Sequence, residues 1–226
     1  MNFRLHSLLY FGIAIVFIVL ETAGVFYPGI IVKSLIIPTL IWLYLRFVKV
    51  QINSFHRLIL IALVFSWVGD ITLQLNSINE DFFMVGLGSF LVAQLIYLVA
   101  FFSTKGPNVV SRKIYLALPV VIYCVFILWV LWDGLGDMMM PVTVYCVVIH
   151  VMLLAAINRK KKVNSQSYQL VLFGAILFIL SDSLIAINKF EQSFELARIA
   201  IMTSYVTAQY LIAIGCVRQF NLTLKK

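Results

Sequence analysis

Charge is what this chain has least of. Only 12% of its 226 residues are Asp, Glu, Lys or Arg, against 63% hydrophobic residues and a mean hydropathy of +1.04. A water-soluble domain carries about 25% charged residues, so the polar surface needed to coat a soluble particle is missing. That excludes a soluble globular domain and implies a polytopic membrane protein. Polar connections between the apolar runs are short, which leaves no room for a soluble domain. The three cysteines, Cys124, Cys146 and Cys216, show no paired spacing and have no His cluster beside them in sequence. No disulfide, metal or cofactor is therefore expected, and the cysteines read as small core residues. No small-x-small cleavage site follows the first apolar run, and Glu21 interrupts the region behind it. That run reads as a retained helix rather than a signal peptide.

What is present is a series of eight apolar segments near the ~20 residues that span a bilayer. They fall at about 7–26, 30–48, 57–76, 82–103, 113–132, 138–157, 167–188 and 195–217. The expected fold is an all-α membrane protein with eight transmembrane helices in one domain, residues 1–226. The net charge of +8 is distributed by side. Of 17 Lys and Arg, 14 fall on one side when loops are numbered alternately, among them Arg4, Lys49, Arg159–Lys162, Lys225 and Lys226. The other side receives Lys33, Lys189 and Arg198, and lies nearest to every acidic residue. The positive-inside rule then puts both termini in the cytoplasm of a bacterial-type inner membrane. The basic balance is a topology signal, and nucleic acid is not an expected partner.

Two of the few charges stand inside apolar spans. Asp70 lies in LILIALVFSWVGDITLQL and Asp182 in LVLFGAILFILSDSLIAI. A charge near the centre of a bilayer helix costs roughly 2.5–3.5 kcal/mol, so such a residue usually faces the protein interior and has a function. The two aspartates are offset by 112 residues, and Gln94 and Gln209, in FLVAQLIY and YVTAQYLI, by 115. The chain therefore reads as two parallel half-repeats of four helices each, about 1–110 and 111–226. Both aspartates then fall in the outer half of the bilayer, with Glu21 and Lys33 at similar depth and Gln94 and Gln209 nearer its middle. Each has a plainer reading: headgroup contact for Glu21 and Lys33, and interhelical hydrogen bonding for the glutamines. His150, nearer the cytoplasmic end, reads as a hydrogen-bonded interior residue.

The run Ser66-Trp67-Val68-Gly69-Asp70-Ile71-Thr72-Leu73 resembles the S-x-x-G-D-x-x-L signature of the YhhN family of lysoplasmalogenase-like membrane proteins. Ser181-Asp182-Ser183-Leu184, behind Gly174-Ala175 and Phe178, is similar to its second aspartate motif. Lys33 with Pro38, Phe83-x-x-Gly86 with Phe90, Pro141-Val142 with Tyr145, and Tyr205 with Ala208-Gln209 also match in order. Two departures stand out. The family often has His where Gln94 stands, ahead of Tyr97, and Pro where Ser34 follows Lys33.

The resemblance implies hydrolysis of the vinyl ether of a lysophospholipid, with Asp70 and Asp182 catalytic and no cofactor. A vinyl ether is cleaved by protonation on carbon, followed by water attack on the oxocarbenium ion. That requires a placed acid and a carboxylate that stabilises developing positive charge, a division of labour that paired carboxyls perform in glycoside hydrolysis. Two facing buried carboxyls are expected to share one proton. Lys33 is the expected phosphate ligand. Gln94 and Gln209 are expected to orient water or the glycerol hydroxyl, with Tyr205, Glu21 and Ser181 completing the substrate contacts. The partners are the lysophospholipid and the surrounding membrane lipids. A small proton-coupled transporter or lipid-binding protein uses the same acidic pair in the leading alternative. An intramembrane aspartyl protease fits less well, because Val68-Gly69-Asp70 lacks the first Gly of G-x-G-D.

Overall fold

The computed structural model describes residues 3–48 and 51–220; Lys49, Lys225 and Lys226 of the charge pattern lie outside the described residues. Eight helices are long and apolar enough to cross a membrane. They are α1 (Phe3–Thr22), α2 (Phe26–Phe47), α3 (Ser54–Leu75), α4 (Asp81–Phe102), α5 (Leu118–Leu131), α6 (Met139–Ile157), α7 (Ser165–Ala186) and α8 (Ala197–Phe220). No strand occurs among the described residues. The chain is an all-α, multi-pass integral membrane protein.

Helix ends depart from the hydropathy bounds by up to five residues, for local reasons. The first helix stops at Thr22, not 26, because Gly24 takes a left-handed φ of +73°. The Val25 N–H then donates to Leu20 O at 2.9 Å and the Gly24 N–H to Glu21 O at 3.2 Å. This closure satisfies carbonyls that would otherwise be orphaned in the membrane interface. The fifth span opens with a one-turn helix, Ile114–Leu116, and α5 starts at Leu118 with Pro119 in its first turn. There the missing N–H of proline costs nothing. Side-chain caps start α3 and α7: Asn53 accepts from the His56 N–H, and Asn164 from the Ser167 N–H.

The α3–α4 and α7–α8 pairs share the most extensive packing. Gly174 shows how close α7 and α8 come, since a Cβ there would lie 2.9 Å from both Ala208 O and Ile212 N. Without a hydrophobic force between helices in lipid, such backbone approach supplies the packing energy. α8 is the most enclosed span and α5 the least. The Tyr10 hydroxyl of α1 donates to Val206 O of α8 at 2.9 Å. At the opposite end from Glu21, Arg159 is fully buried rather than a free loop cation. It donates to Ser167 Oγ and Gln219 Oε1 and lies over the Phe101 ring, tying the ends of α4, α6, α7 and α8.

Candidate functional site

Asp70 follows Gly69, and Gly69 accepts the Phe90 ring where any Cβ would clash at 2.6 Å. This brings α4 against α3 and seats Asp70 in the core, 3% exposed. The Tyr205 hydroxyl donates to Asp70 Oδ2 at 2.8 Å. Gln209, one turn further along α8, donates to that hydroxyl at 3.3 Å and accepts from Tyr97 at 2.9 Å. Asp182 on α7 accepts a hydrogen bond from the Tyr145 hydroxyl of α6. Phe90, Phe178 and Tyr205 pack edge-on beside the pair, with centroids 5.6–6.2 Å apart. The Asp70 and Asp182 carboxyls lie within electrostatic reach of each other, and the charge of Lys33 reaches Asp70. Their surroundings differ. Asp182 lines an apolar pocket of about 50 Å³ with Leu73, Phe83, Leu87, Phe90 and Phe190. Asp70, which accepts from a phenol as Asp182 does, has the Lys33 charge within electrostatic reach as well.

The apolar pocket shares Leu73, Phe83 and Ile185 with a polar cavity of about 310 Å³. That cavity is lined by Lys33, Lys189 and Arg198, the three cations the sequence assigns to one side, together with Glu21 and Gln74. Lys33 Nζ donates to Gln74 Oε1 at 3.1 Å, and Gln74 Nε2 donates to Glu21 Oε2 at 2.8 Å. Arg198 holds the Glu21 end through the backbone carbonyl at 3.1 Å and a 4.0 Å ion pair. Gln74 follows Asp70 by one helical turn and so lies on the same face of α3. Lys189, in the one-turn π-helix Ile187–Glu191 that continues α7, sits 4.3 Å over the Phe83 ring. Chemically, the arrangement combines an anion-compatible mouth with a carboxyl set in hydrocarbon just beneath it.

The profile of the YhhN family matches residues 29–216, a range that contains every residue of the site except Glu21. The chain belongs to the YhhN family. Among curated proteins it is similar to lysoplasmalogenase TMEM86B of Sus scrofa, 32% identical over 155 residues, and to that of Homo sapiens, 30% identical over 167 residues. These alignments cover 68% and 74% of this chain but 61% and 66% of the relatives, so the chain spans less than two thirds of their length. No solved structure matches it.

In this YhhN protein, Glu21 and Lys33 line one cavity, bridged by Gln74, and Asp70, Tyr205 and Gln209 form one hydrogen-bonded chain. Gln94 is fully buried beside Tyr145, and neither of its amide atoms completes a hydrogen bond. Ser181 turns away, donating to Ile201 O at 3.0 Å across the α7–α8 seam. Sequence reasoning missed Gln74, Lys189 and Arg198 as site residues, and gave Tyr145 no role. The first was signalled by its spacing from Asp70, and the cations by being the exceptions to the charge pattern of the loops. The fold gives two of the cysteines a shared histidine neighbour, a grouping that their spacing in sequence does not show. Cys146 and His150 are four apart on one face of α6, and α5 brings Cys124 to them. The three donor atoms lie within 4.8 Å of one another, with the two sulfurs 3.6 Å apart. Among the described residues this is the group that could hold a soft metal ion, although it offers three donors where structural zinc takes four. His150 spends Nδ1 on Cys146 O at 2.7 Å, as an interior histidine does.

Proposed function

We propose that this chain hydrolyses the vinyl ether bond of lysoplasmalogens, releasing a fatty aldehyde and a glycerophospho-alcohol. The observation that carries the reading is an aspartate in an apolar pocket that shares three wall residues with a cavity lined by three cations. A single-chain phospholipid has that polarity profile, with an anionic phosphate outermost, a vinyl ether just below, and then hydrocarbon. The relatives' name, lysoplasmalogenase, supports the same reaction class.

Asp182 is the proton donor in this reading, because it contacts the pocket and has apolar neighbours. Asp70, reached by the Lys33 charge and held by Tyr205, is the ionised partner. Two carboxyls take different roles when their environments differ in this way. Asp182 protonates the alkenyl carbon remote from the ether oxygen, leaving an oxocarbenium ion that the Asp70 charge stabilises. Water adds to the cation and returns its proton to Asp182, and the resulting hemiacetal collapses to aldehyde and alcohol. Gln94, with its amide uncommitted beside Tyr145, orients that water. Lys33, Lys189 and Arg198 hold the phosphate, and Gln74 and Glu21 hold Lys33 in place. The membrane is proposed to be a bacterial-type inner membrane with both termini cytoplasmic, on the strength of the 14 of 17 cations on one side.

Purified protein in D2O, given lysoplasmenyl-ethanolamine, should release aldehyde that carries one deuterium on the carbon next to the carbonyl. Aldehyde without that deuterium would rule out carbon protonation. A lipid flux driven by a proton gradient with no aldehyde formed would identify a transporter instead.

A further inference from the structure

The Asp182 pocket has a second side. Val142, Tyr145, Asp182 and Ala186, away from the wall shared with the cation cavity, also line a neighbouring pocket of about 40 Å³ on the α5 side of the α6–α7 seam. That narrow neck continues past Ile149, His150 and Ile179. His150 and Ile179 are in turn shared with a groove of about 510 Å³ between α5, α6 and α7. The groove is hydrocarbon in character, with Leu116, Val120, Leu153, Leu172 and Ile176 among its walls. It opens sideways at Ile176 and Leu180, which are 44% and 42% exposed. Of the polar groups along the way, the Tyr123 hydroxyl donates to Ser183 Oγ at 3.2 Å and His150 Nδ1 bonds Cys146 O, while His150 Nε2 is buried without a partner.

We propose that this neck and groove form the binding site for the alkenyl chain of the substrate, and so set its length preference. The inference rests on the hydrolase reading and extends it to the far side of the scissile bond. Dimensions support it. From Asp182 to Tyr168, at the distal end of the groove, α7 rises over 14 residues, about 21 Å at ~1.5 Å each. One leaflet of a ~30 Å hydrocarbon core is about 15 Å deep, so a single long chain fits lengthwise with its first carbons at Asp182. The order of chemistry along the path (cations, acid, narrow apolar neck, wide apolar groove) is that of one extended lysolipid. The sideways opening lets the tail enter from the bilayer without leaving hydrocarbon.

The position of each wall residue gives the test. Ile179 lies three residues from Asp182 along α7 and Leu172 ten residues, or about 4.5 and 15 Å. Lysoplasmenyl-ethanolamines with butenyl, octenyl and hexadecenyl chains are compared on wild type, Ile179→Phe and Leu172→Trp. Leu172→Trp should lower kcat/KM about tenfold for the hexadecenyl substrate and leave the octenyl one unchanged. Ile179→Phe should lower both by about tenfold and leave the butenyl one unchanged, steric losses of the size seen when a hydrophobic pocket no longer fits its ligand. A parallel fall for all three chains, or an unaltered dependence on chain length, overturns the tail site. If wild type releases no aldehyde from any substrate, the hydrolase reading itself fails. The channel is then decided by a lysophosphatidylethanolamine bearing a diazirine at its chain end. Crosslinks concentrated at Leu116–Val120 and Leu153 support it, and crosslinks scattered over the outer helix faces overturn it.

Discussion

Lys33 and Tyr145 are 112 residues apart, the offset that also separates Asp70 from Asp182; Tyr145 donates to Asp182, whereas Lys33 donates to Gln74 and reaches Asp70 only through its charge. Both carboxyls accept from a phenol, Tyr205 for Asp70 and Tyr145 for Asp182, so the proposed unlike roles rest on the Lys33 charge that reaches Asp70 and the apolar pocket at Asp182. Lys33→Met should lower kcat/KM by about 10–100-fold, the loss expected for a hydrogen bond to a charged group. Arg198→Met should act more weakly and on KM alone, since its side chain is 64% exposed and solvent screens it. Gln94→Leu is expected to reduce kcat with little effect on KM. Gln94→His, which restores the residue common in the family, should keep most of the activity. Equal kcat for wild type and Gln94→Leu would remove Gln94 from the chemistry.

Between α5 and α6, the turn at Gly134 presses on the π-helical segment that follows α7. A Cβ on Gly134 would collide with the Phe190 carbonyl. Phe190 lines the Asp182 pocket, and its neighbour Lys189 lines the cation cavity. Gly134→Ala should therefore disturb lipid cleavage by shifting this segment, with the melting midpoint in detergent nearly unchanged. Gly174→Val should do the reverse, because it forces α7 off α8 along the most intimately packed seam. A loss of about 1–3 kcal/mol is expected for such overpacking, read as a lower midpoint. The existence of these helices was legible in sequence because hydropathy alone decides which segments enter lipid. Their ends were less so: Gly24 and the Ile114–Leu116 turn act through backbone geometry that a hydropathy window averages away. The acids were legible because a carboxylate in an apolar run is rare. Their partners were not, since Tyr205 reaches Asp70 across 135 residues and Cys124 reaches Cys146 only once α5 packs on α6.

At the scale of the whole molecule, the cation cavity, the Asp182 pocket, the neck and the hydrocarbon groove share wall residues in succession, and in the proposed reading they form one path. This is how a bilayer enzyme would process a lipid without extracting it. The charge asymmetry predicts the direction of that path. A cysteine placed at Ser77, in the turn after α3, should react with a membrane-impermeant maleimide in intact cells, whereas one at Lys161, after α6, should react only after lysis. The opposite pattern would invert the orientation. The central claim is that Asp70 and Asp182 act together on one bond. The most direct measurement is the rate of aldehyde release from lysoplasmenyl-ethanolamine by wild type, Asp70→Asn and Asp182→Asn at equal amounts of folded protein. Both variants are expected to lose at least about 100-fold in kcat, the lower end of what positioned acid–base groups contribute. Rates equal to wild type in both would contradict the account.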